Sequence, residues 1–198
     1  MGGELARRYT VTMAKLIYFM PTSLDGYIAD ETGDLDWSVP DEEVFAFIND
    51  VLRPIGVYLY GRKMYETMAV WEMPDAIPGL TPVMLDFARI WQAADKIVYS
   101  KSLDAVTTPK TRLEREFDPQ AVRDLKAQLP HDVSVGGPTL AAHAIRTGLV
   151  DEYHLLVVPT LLGGGIRVLP SNVHVKLDLL DERRFANGMV YLRYRTRA

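Results

Sequence analysis

A chain of 198 residues with 48% hydrophobic side chains is the size of one domain and carries enough apolar material for one sizeable core. Its 22 Lys and Arg against 26 Asp and Glu give a formal charge of -4, so no general positive field draws in nucleic acid or an anionic membrane, and any anion site must be local. The absence of Cys excludes disulfides and thiolate chemistry, and the four His (131, 143, 154 and 174) are not clustered as metal ligands are; the expected compartment is the cytoplasm.

No apolar run approaches the roughly 20 residues that span a bilayer. Residues 1–14 read as a flexible N-terminal extension, with a single domain over 15–198. Lys15 to Met20 is a short apolar run of strand formers, closed by Pro21 and the Asp25-Gly26 turn signal. After a polar loop, Val44, Phe45, Phe47, Ile48, Val51 and Leu52 recur at helical spacing, and Pro54 ends that helix. Ile55 to Tyr60 is the next strand, Gly61 a turn, and Arg62 to Met68 a helix. The Pro-rich stretch from Trp71 to Pro82 is a loop, Val83 to Ala94 a helix, and Lys96 to Tyr99 a strand. Asp118-Pro119 starts a helix that runs towards Leu129. Val133 to Val135, Gly136-Gly137-Pro138 and Thr139 to Thr147 form strand, turn and helix, and Tyr153 to Val158 is a further strand. Gly163-Gly164-Gly165 reads as a mobile turn, and strands at about Val175 to Leu180 and Met189 to Tyr194 pair antiparallel through Asn187-Gly188. The alternation predicts an α/β fold with a mostly parallel sheet, flanking helices and an antiparallel C-terminal edge.

Three turns carry chemistry. In Gly136, Gly137, Pro138, Thr139 and Leu140, paired glycines let a backbone approach a pyrophosphate, and the free amides of the following helix favour negative charge. An ordinary tight turn would read the same way. Gly61-Arg62-Lys63 places two cations at a helix start, suited to the extra phosphate of NADP, and Ser100-Lys101-Ser102 adds hydroxyls and a cation after another strand. Each alone also fits a solvated surface. Strand ends of an open α/β sheet converge on one crevice.

With Ser23-Leu24-Asp25-Gly26 at the first strand, these motifs resemble the dihydrofolate reductase superfamily from Lys15 to Arg195. They are most similar to the branch that includes the C-terminal reductase domain of the bifunctional riboflavin-pathway deaminase-reductase, where S-L-D-G, G-P-T-L and a stretch like Pro159 to Gly165 recur. The resemblance implies a dihydrofolate-reductase-like fold, NADPH as cofactor, and reduction of a small, planar, pterin- or pyrimidine-like substrate. It implies the adenine-ribose phosphate near Arg62, Lys63, Ser100 and Lys101, the pyrophosphate near Gly137 to Leu140, and the nicotinamide beside Thr22, Asp25, Gly26 and Trp37.

Two positions depart from the pattern. Met64 replaces the Thr of the dihydrofolate reductase turn, and Val135-Gly136-Gly137 lacks the Glu by which pyrimidine reductases contact substrate. Glu42 matches the carboxylate of W-x-x-P-x-[DE] that pairs with a pterin, and equally fits a helix start favoured by the dipole. An NADP(H)-binding sensor or scaffold with little or no turnover is the alternative function. A homodimer is expected through the C-terminal strands, where Val190, Leu192 and Tyr194 face the core and Tyr191, Arg193 and Arg195 face out.

Overall fold

Residues 13–197 are described by the structure, a computed structural model. Six strands run parallel in the order β5 (Thr111–Glu114), β4 (Asp95–Tyr99), β3 (Ile55–Gly61), β6 (Asp132–Gly136), β1 (Leu16–Ser23) and β7 (Glu152–Val158). The sheet continues through β10 (Val190–Thr196), antiparallel to β7, and ends on β9 (Leu177–Arg184), antiparallel to β10. The expected mostly parallel sheet with an antiparallel C-terminal edge is what forms. A separate ribbon pairs β2 (Tyr27–Ala29) with β8 (Ile166–Arg167). Among the described residues, no helix is long and apolar enough to cross a membrane, and no group of carboxylates and imidazoles is placed to hold a metal ion.

Strand side chains alternate between the two sheet faces, and both faces are covered, as parallel sheets require. Leu16, Tyr18, Val57, Leu59, Val133 and Val135 meet α4 (Pro119–Gln128) and α5 (Pro138–Arg146) on one face. Ile17, Tyr58, Tyr60 and Val98 meet α1 (Glu42–Leu52) and α3 (Pro82–Ala93) on the other. The short α2 (Arg62–Met68) follows β3 directly. Local chemistry sets the helix starts: Asp41, Thr81 and Asp118 each accept a hydrogen bond from a first-turn amide, and Pro opens both α3 and α4. Gly148, at φ +67°, follows the end of α5.

The structure corrects several boundaries. Residues 1–12 of the expected extension lie outside the described residues, but Ala14 is buried and its amide donates to the Lys126 carbonyl (3.1 Å), so the domain begins before Lys15. Strand β1 does not stop at Pro21. The Lys15 carbonyl accepts from Val133 in β6 and the Leu16 carbonyl from Asp151 beside β7, so odd residues of β1 address β6 and even ones β7. Pairing with β6 ends at Tyr18, while pairing with β7 continues to Ser23. The missing amide of Pro21 therefore falls on the side where no ladder exists.

Strands β2, β5 and β8 went unread because they are two to four residues long and owe their existence to distant partners. The triple glycine is tied down rather than mobile, as described below. Tyr191 is buried at 2% exposure against Phe47, and Arg193 pairs with buried Glu152, so the face expected to point outward packs on α1 instead. The exposed apolar side chains of this edge are Leu179 and Leu180 on β9.

Candidate functional site

The carboxyl ends of β4, β3, β6 and β1 are consecutive in the sheet, and at about 4.8 Å between strands they form a row about 14 Å long. They carry, in that order, Ser100 and Lys101, Gly61 to Lys63, Gly136 to Leu140, and Thr22 to Gly26. Because β6 leaves β1 after Tyr18↔Val135, β1 runs on alone on that side, and Phe19 and Pro21 direct backbone groups into a gap bounded by Gly136 and Gly137. The chain leaves β1 for β3 through α1 on one face and leaves β6 for β7 through α5 on the other, the parting of crossovers that opens a crevice in α/β sheets.

At the centre of the row, glycine is needed twice. A Cβ on Gly136 would stand 2.7 Å from the Tyr60 ring, and Gly137 has φ +86° with Met64 3.2 Å from its Cβ position. Met64 thus packs beneath the turn and donates no hydrogen bond to it. Gly137 is the N-cap of α5 and has no side chain to cap the first turn, so the amides of Thr139 and Leu140 are left at a helix start whose dipole favours negative charge.

On the β3 and β4 side, Arg62 is committed to neighbours. Its Nε donates to Glu66 Oε1 (2.7 Å) and its Nη1 to Ser102 Oγ (3.2 Å). Lys101 pairs with Glu116 (3.2 Å), while exposed Lys63 has no ion pair among the described residues. Ser100 is buried, and its Oγ accepts from the Ser102 and Leu103 amides, so it shapes the turn. The sequence motifs contain Glu66 and Ser102 but do not pair either with Arg62; the i,i+4 spacing of Arg62 and Glu66 was the available signal for one of the two bonds.

At the β1 end, buried Thr22 lies with its Oγ1 3.4 Å from the Tyr27 carbonyl. Asp25 accepts from Ser23 Oγ (2.6 Å), from the Gly163 amide (2.7 Å) and from the Leu162 amide (3.1 Å). The Ser23 hydroxyl foremost, then the Gly163 amide, hold its carboxyl down to about 2. Gly26, at φ +88°, donates to Ser23 and accepts from Val168. The glycine loop is thereby pinned over the end of β1, and β8 pairs with β2 beside it. Trp37 donates Nε1 to the Asp34 carbonyl (3.1 Å) and packs its ring on the cluster of Val44, Leu156 and Val158. Glu42 is exposed in the first turn of α1, where Asp41 already caps Val44, and its carboxylate has no partner among the described residues.

A cavity of about 660 Å³ lies at the opposite, amino-terminal ends of β3 and β4, rimmed by Arg53, Arg89, Lys110 and His131. Its cations serve the fold. Arg53 follows α1 and pairs with Asp86 (2.9 Å), and Lys110 donates to the Ala93 carbonyl at the end of α3 (2.9 Å), so they complement helix C-termini.

Comparison with known proteins bears on the family and the fold. The family model described as RibD C-terminal domain matches residues 14–191. The uncharacterized protein YyaP of Bacillus subtilis (strain 168) is 27% identical over 192 residues, covering 91% of this chain and 94% of its own. The crystal structure of a putative riboflavin biosynthesis protein from Shewanella sp. PV-4 superposes with a TM-score of 0.73 at 21% identity, covering 93% of this chain and 99% of that one. Dihydrofolate reductase from Enterococcus faecalis, complexed with NADP(H), superposes at 0.62 with 14% identity over 93% of this chain and 97% of that one, so the fold is dihydrofolate-reductase-like. With nearly the whole described region matched, the chain belongs to the RibD C-terminal domain family.

Proposed function

We propose that this protein is a cytoplasmic, homodimeric NADPH-dependent reductase of a small planar heterocycle, pterin- or pyrimidine-like. The observation that carries the reading is the row of four neighbouring strand ends, cationic at β3 and β4, glycine-lined at β6, and open beside β1. NADPH, when bound, supplies the hydride. Thr139 and Leu140 donate their amides to the pyrophosphate, and Gly136 and Gly137 keep side chains out of its path. Arg62 and Lys63, with Lys101 beyond, face the extra ribose phosphate, and Ser100 supports the turn that carries Lys101. Thr22, Asp25, Gly26 and Trp37 border the nicotinamide end, where Asp25 holds the glycine loop in place and so limits water. Glu42 either binds the substrate or relays to it, from solvent water, the proton that accompanies hydride, roles open to an exposed carboxylate without a structural partner.

Titration of NADPH and NADH by fluorescence tests the cofactor assignment. NADPH binds more tightly than NADH, and Arg62→Ala weakens NADPH by about tenfold to a hundredfold while leaving NADH nearly unchanged. Equal binding of both would refute the phosphate site. A cofactor-binding sensor is the competing reading, favoured by the exposure of Glu42. Stopped-flow oxidation of bound NADPH against pterins, pyrimidines, quinones and carbonyl compounds separates the two, since turnover with any of them excludes a pure sensor.

A further inference from the structure

Of the three cations assigned to the extra ribose phosphate, Arg62 and Lys101 are already paired with carboxylates. Arg62 opens α2 and Glu66 sits one turn later on the same helix face, so their i,i+4 spacing brings Nε to 2.7 Å from Oε1. A second anchor comes from across the gap to β4, where Ser102 Oγ accepts from Arg62 Nη1 at 3.2 Å. That serine is itself held. Ser100 Oγ accepts from the Ser102 amide (3.2 Å) and the Leu103 amide (3.0 Å), and Arg115 Nη1 donates to the Ser100 carbonyl (3.2 Å) and the Leu103 carbonyl (2.6 Å). The guanidinium therefore bridges two strand ends in a fixed orientation. Of its five N–H donors, one is occupied by Glu66 and one by Ser102, which leaves three for a phosphate.

The two anchors have different electrostatic consequences. Ser102 orients the guanidinium and leaves its charge intact. Glu66 orients it and also places a negative charge beside any dianion that the remaining donors receive. Lys101 is offset in the same way by Glu116 at 3.2 Å. Among these five groups, the three cations Arg62, Lys63 and Lys101 set against Glu66 and Glu116 leave one positive charge where the cations alone suggest three.

We propose that Glu66 is the positioning residue that sets selectivity between cofactors with and without the extra ribose phosphate, by holding Arg62 through Nε while opposing the charge of that phosphate. The proposal rests on the reading of the crevice as a dinucleotide site. Glu66→Gln keeps an acceptor for Nε and removes the charge, so it raises affinity for NADPH and for adenosine 2′,5′-bisphosphate by about fivefold. Affinity for NADH and for 5′-AMP stays unchanged, because neither carries the extra phosphate. Ser102→Ala acts in the opposite direction, weakening NADPH alone by about threefold.

The experiment is fluorescence or calorimetric titration of the full chain and both variants with these four nucleotides, at low salt and at about 0.5 M salt. Both variants lie on the exposed surface, and thermal melts confirm that they fold. The NADPH-to-NADH affinity ratio rises in Glu66→Gln, falls in Ser102→Ala, and the gain of Glu66→Gln shrinks at high salt. A ratio that Glu66→Gln leaves unchanged or lowers overturns the role of Glu66 while the crevice reading stands. Failure of the unaltered chain to bind either dinucleotide overturns the crevice reading and this proposal with it.

Discussion

Gly165 shows how far a single residue can be dictated by its surroundings. Its backbone adopts φ +117°, and a Cβ there would overlap the Ala29 carbonyl oxygen, so only glycine lets β8 lie against β2. Gly164 differs. Its Cβ position is 3.0 Å from the Glu31 carboxylate, the far end of a flexible side chain, and its φ is not in the left-handed region. Gly165→Ala is therefore expected to lower stability by about 2 kcal/mol or more, and Gly164→Ala by less than about 0.5 kcal/mol. Urea unfolding of the two variants checks this, and equal losses would contradict it. A run of three glycines in the sequence announced a turn but could not rank its members, because the ranking depends on Ala29 and Glu31, which lie more than 130 residues away. The turn proposed to hold the pyrophosphate was legible for the opposite reason. The amides that Gly136 to Leu140 would offer are its own, so that reading is written in consecutive residues. The bond from Arg62 to Ser102 was not legible, because the two meet only once β3 and β4 are side by side.

Elements show the same division between local and distant causes. Helices α1, α3 and α4 were readable from their caps and apolar spacing, whereas the overrun of β1 past Pro21 follows from where β6 stops. The pairing of β7 with β10 builds a buried polar network that no local pattern marks. Glu152 Oε1 receives Lys15 Nζ (2.8 Å), and its Oε2 receives Arg193 Nε (2.8 Å) and His154 Nε2 (3.1 Å). Burial alone would raise this carboxyl, but the donors from Arg193, Lys15 and His154 outweigh it and hold it down to about 2. Burial also pushes the His154 imidazole below its usual value of 6.5, and Glu152 offsets this only in part. The imidazole is neutral, with its proton on Nε2 facing the carboxylate, so Nδ1 accepts from the Tyr191 hydroxyl (3.0 Å). The folded value lies below the unfolded one, so the unfolded chain takes up the proton first. The contribution to stability is complete above about pH 6.5 and declines as pH falls through the folded value. The urea midpoint of the unaltered protein should fall between about pH 7.5 and pH 5.5. His154→Gln should be less stable at the upper pH and show a shallower fall. An unchanged slope in the variant would assign the acid sensitivity to other groups.

At the scale of the whole molecule, the C-terminal edge is where the fold leaves apolar surface uncovered. Of the twelve large apolar side chains exposed among the described residues, half lie within residues 161–180: Leu161, Ile166, Leu169, Val175, Leu179 and Leu180. Leu161 and Ile166 belong to the glycine loop and β8 beside β2, whereas Leu179 and Leu180 are adjacent on β9; scattered exposed apolar groups are ordinary, and it is the adjacent pair on the edge strand that suits association. Among the described residues strand β9 pairs only with β10, and Leu180 is an extra residue in that pairing, since Arg193 stands opposite Asp181 and Tyr194 opposite Leu179. Such a bulge disrupts the edge and discourages open-ended strand addition, so growth into a continuous sheet is disfavoured while Leu179 (49% exposed) and Leu180 (39%) stay accessible. A closed two-fold contact satisfies both features, because it covers the leucines without leaving a free edge for a third copy. The proposed homodimer therefore uses the outer surface of β9, and buried Tyr191, which an alternating reading of β10 placed outside, takes no part in it. Sedimentation at micromolar concentration is expected to show a species of twice the chain mass, and Leu179→Arg should convert it to the single-chain mass with little change in the thermal midpoint. A single-chain species in the unaltered protein refutes the dimer. A dimer that survives both Leu179→Arg and Leu180→Arg moves the interface to another surface.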